Sequence, residues 1–84
     1  MVTNRYSPNE SKKWLHAIMT KLEIKSLEEL SNMTKIDIGS LSRYFSQERR
    51  PSINAIEPLC IALKVTSDEL LIGLGAKNRN KETL

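Results

Sequence analysis

The feature that most narrows the fold is a period: apolar residues recur three and four apart almost throughout the chain, and no stretch alternates as a half-buried strand does. An all-α architecture follows, and cap signals divide it into five helices. Ser7-Pro8-Asn9-Glu10 joins a serine cap to proline at the first helical position and a glutamate able to reach back. The helix it opens runs to about Glu23, with Trp14, Leu15, Ile18, Met19 and Leu22 on its inner stripe. Ser26-Leu27-Glu28-Glu29 reads as a second capping box, for a short helix with Leu27, Leu30 and Met33 inward that ends near Met33 or Thr34. Asp37 caps a third helix holding Ile38, Leu41, Tyr44 and Phe45, which leaves Gly39, Ser40, Ser42 and Arg43 for its other face.

The stretch from Ser46 to Ser52 has no periodic apolar residue and contains Pro51, so it reads as a loop, with Arg49 and Arg50 on it. A fourth helix follows, capped by Ser52 or by Asn54 with Glu57. Its stripe is Ile56, Leu59, Cys60 and Leu63, and Pro58 falls in an irregular first turn. Thr66-Ser67-Asp68-Glu69 caps a last helix of Leu70, Leu71 and Ile72, stopped by Gly73 and Gly75. Eighty-four residues leave room for one domain, placed at 7–74, with a flexible N-terminus at 1–6 and a polar, basic, mobile tail at 75–84.

Composition removes several function classes. One cysteine, Cys60, and one histidine, His16, supply neither a disulfide nor a zinc site. No apolar run approaches the roughly 20 residues a bilayer requires, and the N-terminus lacks a secretory signal, so the cytoplasm is the expected compartment and no membrane the expected partner. No carboxylate pair, activated nucleophile or phosphate-cradling glycine loop is present, so we expect neither an enzyme nor a cofactor, metal or small-molecule ligand. Trp14, Tyr44 and Phe45 stand at helical spacing among other apolar residues, where packing is a better reading than base stacking. The net charge of +3 is unevenly spread: residues 35–50 carry a local excess of two positive charges and residues 51–72 of two negative ones.

Short helices two and three, joined by a few residues, suggest a helix-turn-helix. Three segments carry a closer resemblance: Ser26-Leu27-Glu28-Glu29-Leu30-Ser31 for the second helix, Ile36 to Arg43 for the third, and Arg50-Pro51-Ser52 after it. Leu63-Lys64-Val65-Thr66-Ser67-Asp68-Glu69-Leu70 closes the pattern. In this order and spacing, from about Met19 to Gly73, the chain resembles the Cro and phage-repressor type of helix-turn-helix domain, the lambda-repressor-like or XRE-like family. The resemblance implies a compact five-helix domain that binds double-stranded DNA as a homodimeric transcriptional regulator, most simply a repressor, in a bacterial, plasmid or phage setting.

It also implies roles for individual residues. The slim face of the third helix would enter a major groove about 12 Å wide. Arg43 would bond guanine or instead hold a phosphate, Ile38 would touch a thymine methyl, and Gly39 and Ser40 would lie against base edges, with a phosphate as the alternative partner of Ser40. Lys35, Ser42, Arg49 and Arg50 would hold phosphates, with Asp37 as the cap. Leu71, Ile72 and Leu74 stand where family members often pair. Three positions depart from the family pattern: Leu27 replaces a common glutamine, and Lys35 and Gln47 stand where glycine is common. Ser31, in place of the usual alanine, is only slightly larger, can bond back to its own helix, and is read as tolerated. A different class of function stays open, an antitoxin-like or adaptor protein-interaction module, favoured by Leu27 and by exposed apolar residues at Ile38, Tyr44 and Phe45.

Overall fold

The computed structural model describes residues 5–78, and the expectations for 1–4 and 79–84 lie outside the described residues. Five helices follow in order: α1 (Pro8–Leu22), α2 (Leu27–Thr34), α3 (Ile38–Phe45), α4 (Ile53–Leu63) and α5 (Ser67–Gly73). All but α1 and α4 have eight residues or fewer, too short to persist alone in water, so each is held by its buried face.

The core is built from leucines contributed in turn. Leu30 of α2, Leu41 of α3, Leu59 and Leu63 of α4, Leu70 of α5 and Leu74 just beyond it are all at most 1% exposed. Each such side chain contributes about 1.5–3 kcal/mol of hydrophobic stabilisation. Tyr44, Phe45, Ala55 and Ala62 complete this layer, and Trp14 of α1 stacks on Phe45 with ring centroids 6.2 Å apart. On its far side the Trp14 ring approaches α5 so closely that a Cβ at Gly73 would lie 2.5 Å from it. Gly73 is therefore the last residue of α5 and a packing contact, not the stop expected of it. The glycine that ends the chain's last turn is Gly75, with φ of 77°.

The caps at three helix starts are those the sequence indicates. The Glu10 N–H donates to Ser7 Oγ and the Ser7 N–H to the Glu10 carboxylate, and Thr66 and Glu69 repeat the exchange at α5. Asp37 caps α3. At α2 the box is only half formed: Ser26 Oγ accepts from Glu29 N–H, but the Glu29 carboxylate reaches one residue further back, to the N–H of Lys25. Ser52 precedes α4 without a side-chain cap bond. Pro58 is the sixth residue of α4 rather than part of its first turn, and α4 continues through it to Leu63. Met33, expected inward, is 49% exposed. Burial pushes the Cys60 thiol above its ordinary pKa, with the Glu57 carboxylate adding to the effect, so it stays a neutral, partly buried packing group.

The helices end alike. Glu23, Lys35, Gln47 and Lys64 all have φ between 56° and 66°, the left-handed region that favours glycine. The positive φ that glycine serves in the family is thus kept at Lys35 and Gln47, at about 1 kcal/mol each. Around three of these residues the following N–H turns back to a carbonyl five residues earlier: Ile24 to Met19, Glu48 to Arg43 and Val65 to Cys60. Gln47 offsets its strain with side-chain bonds, donating through Nε2 to the Tyr6 carbonyl and to the Oγ of fully buried Ser11, both at 2.8 Å. Its amide also lies against Gly75, where a Cβ would collide with it. Within the expected tail, Gly75 is buried and Lys77 pairs with Asp68 at 2.8 Å.

Two predictions follow from these contacts. Gly73→Ala lowers stability by about 1–3 kcal/mol, because the added Cβ would lie 2.5 Å from the Trp14 ring, which must shift from its stack on Phe45 to admit it. Urea unfolding followed by Trp14 fluorescence measures it. Glycine at the two left-handed positions has opposite effects: Lys35→Gly stabilises by about 0.5–1 kcal/mol by removing strain from an exposed residue. Gln47→Gly destabilises by about 1–3 kcal/mol, because it strips the buried Ser11 hydroxyl of its donor. Paired unfolding curves of the two variants test the sign difference.

Candidate nucleic-acid interface

The corner between α2 and α3 is set by three residues. Lys35 ends α2 in the left-handed conformation with its N–H on the Ser31 carbonyl. The Ser31 hydroxyl, rather than bonding back to its own helix, spans the turn and donates to the Ile36 carbonyl at 2.5 Å. Thr34, buried, donates to the Leu30 carbonyl and accepts from the Ile36 N–H. Asp37 then starts α3, its Oδ2 accepting from the N–H groups of Gly39 at 3.0 Å and Ser40 at 3.3 Å.

Helix α3 has two unlike faces. Leu41, Tyr44 and Phe45 are buried, which removes two of the three apolar residues offered for a protein-binding face. Ile38 is 44% exposed, Ser42 and Arg43 are exposed, and Gly39 and Ser40 are partly so. A Cβ at Gly39 would sit 3.0 Å from the Asp37 carboxylate and 3.6 Å from Arg43 Nη1, so the Arg43 side chain folds back along α3 toward its first turn. The bare glycine keeps this face thin and leaves the guanidinium room above it.

Cations flank α3 at both ends. Lys35 precedes it; after it the loop folds back on the last turn, with the N–H groups of Glu48 and Arg49 both on the Arg43 carbonyl. Arg49 is exposed, whereas Arg50 spends one donor on the Leu74 carbonyl at 3.2 Å, tying the loop to the end of α5 while its other donors stay available. No carboxylate of the described residues pairs with Lys35, Arg43, Arg49 or Arg50.

A second group of polar residues lies outside the expected set. A depression of about 690 Å³ between α1, the start of α2 and α3 has Leu15, Ile24 and Phe45 in its floor. Lys12, His16 and Lys25 stand exposed around it, beside Ser42 of α3. Lys12 and Lys25 thus add cations on the α1 side of α3, with exposed Glu23 in the same lining. Lys25, directly before the α2 cap, is recognisable from sequence as a cation at a helix start; Lys12 is not, because its nearness to Ser42 is purely tertiary. Leu27 lines the same depression, so the residue in place of the family's glutamine packs there rather than reaching outward.

Of the residues proposed for pairing, Leu74 is fully buried in this chain's own core and offers no surface, while Leu71 and Ile72 are half-buried. The exposed large apolar residues are elsewhere: Ile53 and Ile61 of α4 at 85% and 68%, with Met33 and Ile38. The described residues contain no cluster of His, Cys, Asp or Glu that could hold a metal ion, and no helix long and apolar enough to cross a membrane.

Neither curated proteins nor solved structures return a match to the chain. A family model does: the Cro/C1-type HTH DNA-binding domain matches residues 14–72, from the Trp14 that stacks on α3 to the end of α5. With its five helices, pinned α2–α3 corner and half-buried third helix, this chain belongs to the Cro/C1-type helix-turn-helix DNA-binding domain family.

Proposed function

We propose that the protein is a sequence-specific regulator that reads double-stranded DNA through the exposed face of α3, acting as a homodimer and, most simply, as a repressor that occupies a promoter in the cytoplasm. The observation that carries this reading is the division of α3. One face is locked into the core by Leu41, Tyr44 and Phe45, and the other presents a thin row of Ile38, Gly39, Ser40 and Arg43 between two cationic loops.

In this reading α3 lies in the major groove with its first turns toward the bases. Arg43 donates two hydrogen bonds to guanine, Ile38 packs on a thymine methyl, and Ser40 bonds a base edge. Gly39 lets the helix approach closely. Lys35, Ser42, Arg49 and Arg50 hold phosphates, and Lys12 and Lys25 add to them on the α1 side. The N–H groups that Ser52 leaves without a side-chain cap at the start of α4 are open to one more phosphate. The protein-interaction alternative retains only Ile38 of its three exposed apolar residues, and Ile38 serves the DNA reading equally well.

Titration of fluorescent duplexes over a salt series tests the assignment. Affinity falls steeply as salt rises, and Arg49→Ala weakens binding to all sequences alike while reducing the logarithmic salt slope by about 1. Arg43→Ala instead erodes the preference among sequences by about 1–3 kcal/mol at one base pair. Binding that is absent at low salt, or that loses sequence preference with Arg49→Ala and not with Arg43→Ala, contradicts it.

A further inference from the structure

The outer face of α4 carries a pattern that the DNA reading does not use. Ile61, on the side of α4 opposite buried Ala55, Leu59 and Leu63, is 68% exposed. It lies in a groove of about 470 Å³ with Met33 of α2 and with Pro58 and Ala62. Glu57 and Lys64 line the same groove, one on either side of Ile61 along the helix. Neither finds a partner of opposite charge among the described residues. Helix α4 packs mainly on α1, α2 and α5 rather than on α3, and none of Met33, Glu57, Ile61 and Lys64 is among the residues given to DNA above.

We propose that this face is where a second copy of the chain docks. The proposal rests on the dimeric regulator reading above and gives it a surface: Ile61 and Met33 at the centre, Glu57 and Lys64 at the edges. The charges choose the occupant. Lys64 lies seven positions after Glu57, about two helical turns, and their midpoint falls beside Ile61. When two copies of α4 meet antiparallel about a two-fold axis at that midpoint, each Glu57 comes opposite the other copy's Lys64. The same operation brings the two Ile61 side chains together. A patch that is its own complement in both charge and apolar content is what an isologous interface requires. Of the α5 residues expected from sequence to pair, Leu74 is buried, and Leu71 and Ile72 are not among the residues lining this groove.

Sedimentation of the full chain over a concentration series tests this. The native protein is a reversible dimer, and Ile61→Asp is a monomer with an unchanged helical circular dichroism spectrum, because the residue is exposed in the single chain. Glu57→Lys and Lys64→Glu, each alone, weaken self-association by about tenfold through like charges across the axis. Mixed in equal amounts, those two variants form heterodimers about as tight as the native dimer, since every pair is again of opposite sign. A native chain that stays monomeric overturns both this surface and the dimeric reading. A native dimer that Ile61→Asp leaves intact overturns the surface alone. Charge variants that fail to rescue one another overturn the antiparallel register.

Discussion

The whole arrangement depends on the burial of one face of an eight-residue helix. Helix α3 is too short to be stable in water, and its first turn carries glycine and serine, poor helix formers. It is held because Leu41, Tyr44 and Phe45 go into the core and Asp37 satisfies two N–H groups at its start. Once that face is held, the other needs no apolar side chain for stability. It can therefore be thin and polar, as entry into a groove demands.

The rest of the molecule is support for that helix at two points. The corner before α3 is fixed by hydroxyls and not by glycine: Ser31 and Thr34 take the Ile36 carbonyl and N–H while Lys35 accepts left-handed strain. The loop after α3 is fixed at a distance. Gln47 ties it to Tyr6 and Ser11 on the α1 side, and Arg50 ties it to Leu74 at the end of α5. Trp14 links the same two regions from below, stacked on Phe45 and fitted against Gly73. The exposed face of α3 and the core are thus a single mechanical unit, and a change at Gly73 or Gln47 reaches α3 through contacts that involve none of the residues proposed to face DNA.

What the sequence makes legible is local. Ser7, Asp37 and Thr66 cap within three residues of themselves, so the starts of α1, α3 and α5 can be read directly, as can the apolar stripe of α1. The polar face of α3 is legible for the same reason, since helical spacing alone sorts Gly39, Ser40, Ser42 and Arg43 from Leu41 and Phe45. What stays hidden is tertiary. Nothing near Gln47 announces a hydrogen bond to Ser11, 36 residues away, and nothing near Gly73 announces an indole ring. Leu74 reads as surplus apolar surface until the end of α5 is seen to fold into the core, and Ile61 reads as one more helical isoleucine until the buried face of α4 is known. Family resemblance suggests a glycine at positions 35 and 47; the structure shows that the conformation persists without the residue.

The central claim is that α3 reads base sequence in duplex DNA, and selection of bound sequences from a random duplex pool at moderate salt tests it most directly. The account predicts enrichment of an inverted repeat whose half-sites are centred about one helical turn apart, roughly 34–36 Å, with a guanine at a fixed position in each half-site. A pool that emerges without enrichment would contradict it.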